Sequence, residues 1–257
     1  MTEAVLYEVD GAVATLTLNR PERANTITLE LRTELQRLAL QATNDPAVRV
    51  LIVTGAGRHF CGGADLNAPR AALTDIRQPN DPVLGLDWVP KPVIAAINGA
   101  AMGGGCEIAL GCDFRYISAT AKIGLTEIRF GALPMGGGTA RLPRLIGIAA
   151  ARRLIMVGDP IEASEALQIR LVDKVCAPEE LLADARAFAL KLASRAPYAM
   201  RVAKRLMNET LDHDLAAALR MEVDLVSKMA TPEERQAARD EAAANSATYA
   251  GIFSKKA

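Results

Sequence analysis

The chain is short of several things, and each shortage excludes something. Of 257 residues only two are histidine, His59 and His213, and only four are cysteine, Cys61, Cys106, Cys112 and Cys176. The cysteines sit in apolar contexts without metal-ligand spacing. That pattern excludes a structural zinc site and predicts reduced thiols in a cytoplasmic protein. Aromatic residues make up 4% of the chain, so the expected core is aliphatic. Net charge is missing too: Lys+Arg and Asp+Glu each total 30, which argues against a broad nucleic-acid footprint. No apolar run approaches the ~20 residues of a membrane span. The opening MTEAVLYEVD is acidic and carries no signal-peptide pattern.

What the chain does have is glycine where strands should give way to helices. In residues 91–114, KPVIAAINGAAMGGGCEIALGCDF, the run Val93 to Ile97 suits a buried strand and Cys106 to Leu110 the first turns of a helix. Gly103-Gly104-Gly105 lies between them. Three glycines at such a junction let the backbone approach another molecule with its N–H groups exposed, at a helix end that favours negative charge. Glu107 adds an ionisable group just inside that helix.

Around this stretch the order of elements is legible. Residues 4–9 and 13–18 are expected as strands about an Asp10-Gly11 turn. Leu31, Leu35, Leu38 and Ala42 predict a helix from Thr28, ended by Asn44-Asp45-Pro46, and residues 48–54 predict a buried strand. Strand, helix, strand suggests a βαβ unit. Gly62-Gly63-Ala64 then forms a second accessible loop within GAGRHFCGGADLN. Residues 67–90 lack periodicity and read as an irregular segment bordering a pocket. Next come a strand at 114–117, an extended segment at 123–127 and the Gly-rich loop GALPMGGG at 131–138. Helices at 139–146, 149–157 and 161–167 follow, then a strand at 171–175. Beyond Pro178 the composition turns to Ala, Leu, Arg and Glu, with helices over 179–194, 198–210, 215–228 and from 233. The expected division is therefore a core over 1–178 and a helical region over 179–257 that packs on the core or between subunits.

Two backbone N–H groups, one from each early glycine loop, would make an oxyanion hole if both faced one oxygen, each donor worth roughly 3–4 kcal/mol of transition-state stabilisation. Glu107 and Glu127 would manage protons, each contributing about 10²–10⁴-fold. Such equipment suits chemistry beside a thioester carbonyl. Taken alone, either glutamate reads as a solvated residue. His59 and Cys61 are spaced to share a strand face, but Cys61 reads as a packed small side chain rather than a nucleophile. Arg23 reads equally as a phosphate contact or a solvated loop charge, and Trp88 as packing.

The run IAAINGAAMGGGCEIALGCDF resembles the signature of the crotonase family, the enoyl-CoA hydratase/isomerase group. The likeness extends to NRPERANTI, HFCGGADL and GLTEIRFGALPMGGGTARLPRLIG, in the family's order. The resemblance implies an α/β, crotonase-like spiral of repeated ββα units. It also implies a helical C-terminal region that supports a homotrimer, or a homohexamer built as a dimer of trimers. It assigns the oxyanion hole to Ala64 and Gly104, the substrate-binding surface to Ala64, Asp65, Leu66, Asn67 and Gly104, and catalysis to Glu107 and Glu127. The implied reaction is the reversible syn addition of water to a trans-2-enoyl-CoA, giving a 3-hydroxyacyl-CoA, as in fatty acid metabolism. It requires no metal and no redox cofactor; CoA is part of the substrate. The implied partner is an acyl-CoA, with no nucleic acid and no membrane. The alternatives are double-bond isomerisation and a non-catalytic binding protein on the same fold. The chain departs from the pattern at Asn67, where lysine is common, at Met135 in the second Gly-rich loop, at Arg170, where glycine is usual, and in its last residues, ATYAGIFSKKA.

Overall fold

The structure, a computed structural model, describes residues 3–65, 85–229 and 231–244. The first two strands, β1 (Val5–Asp10) and β2 (Val13–Leu18), form the expected hairpin. Helix α1 (Leu29–Asn44) follows. The Thr28 hydroxyl accepts from Leu31 N–H at its start, and Lys91 Nζ donates to the Ala42 and Asp45 carbonyls at its end. Its predicted apolar stripe, Leu31, Leu35, Leu38 and Ala42, is buried. Strand β3 (Val50–Gly55) pairs parallel to β2, which completes the βαβ unit. Then come β4 (Val93–Ile97), β5 (Ala101–Met102) and helix α2 (Gly104–Leu110). Strands β6 (Phe114–Ser118) and β7 (Lys122–Gly124) follow, then a short 3-10 turn at Glu127–Phe130 and helices α3 (Gly138–Ile146) and α4 (Ile148–Val157). The core closes with β8 (Ile161–Glu162), α5 (Ala163–Gln168) and β9 (Lys174–Cys176).

Six strands form one sheet in the order β1-β2-β3-β4-β6-β9, and three form a second in the order β5-β7-β8. Every residue of β3 and β4 is buried, as expected of parallel strands covered on both faces. Isolated bridges prolong the second layer: Ile27 pairs with Ala64, and Cys61 with Ala101. Each turn of the chain thus gives one strand to the large sheet and a short extended piece to the second layer. That alternation is the spiral of ββα units.

Three local expectations differ from the structure. The extended segment at 123–127 stops at Gly124, and Glu127 opens the 3-10 turn, where Gly131 in a left-handed conformation (φ 67) closes the chain back on Glu127 and Ile128. Residues 161–167 begin as a strand, because Ile161 pairs with Ile123 before the helix starts. The strand at 171–175 begins only at Lys174, since the N–H groups of Leu171 and Val172 both turn back to the Ala166 carbonyl.

The chain divides into two compact units, Met1–Leu190 and Lys191–Ala257. Helix α6 (Leu181–Ala193) precedes α7 (Pro197–Thr210), α8 (Leu215–Met229) and α9 (Pro232–Ala244). Within the second unit α7 packs on α8 and α9, and Arg201 of α7 pairs with Glu234 of α9 at 3.2 Å. Among the described residues no helix is long and apolar enough to cross a membrane.

Candidate active site

The two early glycine loops meet. Ile27 N–H donates to the Gly63 carbonyl and Asp65 N–H to the Ile27 carbonyl, so in this parallel bridge the Ala64 N–H points to the opposite side. On that side lies the start of α2. A Cβ built on Gly104 would fall 3.7 Å from Ala64 N, and one built on Gly63 would fall 3.5 Å from Gly104 N. Gly104 opens the helix, where an N–H has no intrahelical acceptor. The third glycine is needed for packing: a Cβ on Gly105 would sit 2.2 Å from the Cys61 carbonyl oxygen.

The loop before Ala64 is tied down from within. Asn25, fully buried at φ 54, accepts from Arg20 N–H and donates to the carbonyls of Ala56, His59 and Phe60. The Asp65 carboxylate accepts from the Thr26 hydroxyl at 3.3 Å and from Arg20 Nη1 at 3.4 Å. Arg20 Nη1 also donates to the Thr26 carbonyl at 2.7 Å. NRPERANT thus braces the Gly62–Asp65 loop through side chains that motif reading alone did not single out.

Both glutamates come to this junction. Glu107 stands one turn inside α2, only 3% exposed, and its Oε1 accepts from Gly138 N–H at 2.8 Å. Burial pushes its carboxyl up to about 7. The Gly138 and Gly136 amides and the Arg141 guanidinium oppose that rise, while the Glu127 charge adds to it. Glu127 lies over Gly103: a Cβ there would fall 3.0 Å from its Oε1. Burial raises its carboxyl as well, and its Oε2 is buried without a protein hydrogen-bond partner. The turn that carries it is held by Gly103 N–H donating to the Gly124 carbonyl at 2.9 Å. Arg115, 5% exposed, anchors the far end of α2 through the Ala109 and Cys112 carbonyls.

Ala64, Gly104, Glu107 and Glu127 are therefore neighbours, and Asp65 supports them from behind. Leu66 and Asn67 lie outside the described residues, as does the ATYAGIFSKKA end. The other candidates fall away from the chemistry. Cys61 is fully buried, its thiol pushed up to about 12 by burial, and His59 shares no strand face with it. Arg23 is exposed, and Trp88 is half-buried against the core with its indole Nε1 unpartnered. Met135 is 57% exposed, between a buried Pro134 and a buried Gly136. Arg170 adopts φ 62, the conformation a glycine would take without strain.

A family model described as enoyl-CoA hydratase/isomerase matches residues 8–245. A short-chain-enoyl-CoA hydratase of Clostridium acetobutylicum is 38% identical over 90% of this chain and 91% of its own. An (E)-benzylidenesuccinyl-CoA hydratase of Thauera aromatica is 42% identical over 78% and 80%. The crystal structure of an enoyl-CoA hydratase from Bacillus anthracis superposes with a TM-score of 0.82 at 39% identity, covering 87% of this chain and 90% of that one.

Proposed function

Because this chain belongs to the enoyl-CoA hydratase/isomerase family, we propose that it hydrates a trans-2-enoyl-CoA reversibly to the 3-hydroxyacyl-CoA. The observation that carries this reading is the pair of carboxylates, Glu107 buried and Glu127 half-buried, both raised by burial, that flank Gly103-Gly104 close to the Ala64 and Gly104 amides.

The thioester oxygen accepts from the Ala64 and Gly104 amides, which stabilise the enolate as negative charge develops there. In this reading the attacking water is held between the two carboxylates. Glu107, whose ionised form the Gly138 amide favours, takes one of its protons as the oxygen bonds to C3. Glu127, with Oε2 free of protein donors, delivers a proton to C2 on the same face. Unequal hydrogen bonding thus separates base from acid. Water addition is redox-neutral, so the reading invokes no metal and no redox cofactor; CoA is the carrier half of the substrate. Isomerisation needs only one carboxylate, and the second one favours hydration.

Two further parts belong to the same reading. Leu215, Leu219 and Val223 project from one side of α8 at fourfold spacing, all exposed, and support assembly into a homotrimer or a hexamer of paired trimers. Four buried cysteines, none of them in a disulfide, support a cytoplasmic location.

The test is the product. Purified protein given crotonyl-CoA is expected to consume its conjugated absorbance and yield 3-hydroxybutyryl-CoA. Turnover of a 3-enoyl-CoA to the 2-enoyl isomer, without hydration of crotonyl-CoA, would establish isomerisation instead.

A further inference from the structure

Arg141, one turn into α3, reaches two partners that no motif connects. Its Nη1 donates to the Gly136 carbonyl at 3.0 Å, and its Nη2 and Nε donate to Asp87 Oδ2 at 2.8 and 3.3 Å. The first partner belongs to the turn in front of Glu107, whose Gly138 amide holds that carboxylate. The second belongs to a segment behind it: Leu86 N–H donates to the Gly111 carbonyl, just past the end of α2. The space between is narrow, since a Cβ on Gly85 would lie 2.9 Å from both Arg141 Nη2 and Gly111 Cα. One planar fork therefore joins the front and the back of the helix that carries the base.

We propose that Arg141 is a positioning residue for Glu107: it holds the Gly136–Gly138 turn in place, and Asp87 sets how much of its charge the carboxylate feels. This rests on the hydratase reading for its consequence in catalysis. As a surface ion pair, with side chains 24% and 45% exposed, Arg141–Asp87 would contribute little to stability. Its geometry is more specific than that role requires. A lysine carries the charge but not a fork able to hold a carbonyl and a carboxylate together.

The charged groups in this region have distinct parts. Glu127 and Arg141 face Glu107, the buried Cys106 thiol beside it is held protonated, and Asp87 faces Arg141 from the other side. Removing the guanidinium takes away a cation and loosens an amide donor, and both make Glu107 keep its proton longer. Removing the Asp87 charge leaves Arg141 unneutralised, so Glu107 releases its proton sooner. A merely structural pair predicts the same sign for both losses.

The experiment is a pH titration of carboxyl-13C-glutamate-labelled protein by NMR, with the Glu107 resonance assigned by Glu107→Gln. It is read beside kcat and KM for crotonyl-CoA across pH. Arg141→Met should raise the Glu107 midpoint by about half a unit to one unit. It should lower kcat about three- to tenfold below the midpoint and much less above it, with KM little changed. Asp87→Asn should lower the midpoint, and Arg141→Lys should fall between wild type and Arg141→Met. If Arg141→Met does not fold, the sign of the Asp87→Asn shift decides. An unmoved midpoint in Arg141→Met, or an upward shift in Asp87→Asn, overturns the proposal. A wild type that fails to hydrate crotonyl-CoA counts against the hydratase reading alone, because the titration needs no turnover.

Discussion

At the scale of single residues, the site trades stability for chemistry. The folded chain keeps a proton on Glu107 up to about pH 7, whereas an unfolded chain releases it near ~4.3. Between those values the folded state binds more protons, so this group's contribution to stability is full at low pH and falls as pH rises through 7. Glu107→Gln should therefore stabilise the protein at pH 8 relative to pH 5, by on the order of 3 kcal/mol, as thermal denaturation at the two pH values would report. Asn25 works in the opposite direction. Asn25→Ala would strand the buried carbonyls of Ala56, His59 and Phe60 and free the loop before Ala64. A loss of about 2–4 kcal/mol is expected in urea denaturation, together with a lower kcat from a misplaced amide.

At the scale of elements, the site depends on how closely backbone segments approach. Gly138 sits where a methyl group would meet Pro134 Cβ at 2.8 Å, Leu125 Cδ1 at 2.9 Å and Glu107 Oε1 at 3.0 Å. Gly138→Ala should displace the base and lower kcat by roughly 10²-fold, with KM for crotonyl-CoA little changed; steady-state kinetics would check both. The glycine loops and the long elements were legible in the chain because each leaves a local mark, a glycine run or a stripe such as Leu31, Leu35 and Leu38, whereas the two glutamates leave none and were singled out through the family's motifs. The second layer left none. A two-residue strand such as β5, or the single bridge Ile27–Ala64, is too short for alternation to register. The turn at Glu127 is equally silent, since four residues of 3-10 helix show no period and its direction is set by Gly131 and by Gly103 donating to Gly124. Arg141 and Asp87 are 54 residues apart, and only the fold brings them together.

At the scale of the whole molecule, the helical region carries the clearest unspent surface. If Leu215, Leu219 and Val223 bury themselves against further copies of the chain, Leu219→Glu should shift light-scattering mass from trimer towards monomer while leaving the far-ultraviolet circular dichroism unchanged. A wild type already monomeric at micromolar concentration would dismiss that assembly. The acyl preference belongs to this scale as well, because the exposed Met135 sits in the turn whose Gly138 amide holds Glu107. Comparing kcat/KM for short, branched and aromatic enoyl-CoA thioesters would define it. The central claim, that two carboxylates divide the work on one water, is tested most directly by crotonyl-CoA hydration rates of wild type, Glu107→Gln and Glu127→Gln at matched pH. The account predicts rapid hydration by the wild type and a fall of about 10²–10⁴-fold in each variant; a variant that hydrates crotonyl-CoA at the wild-type rate would contradict it.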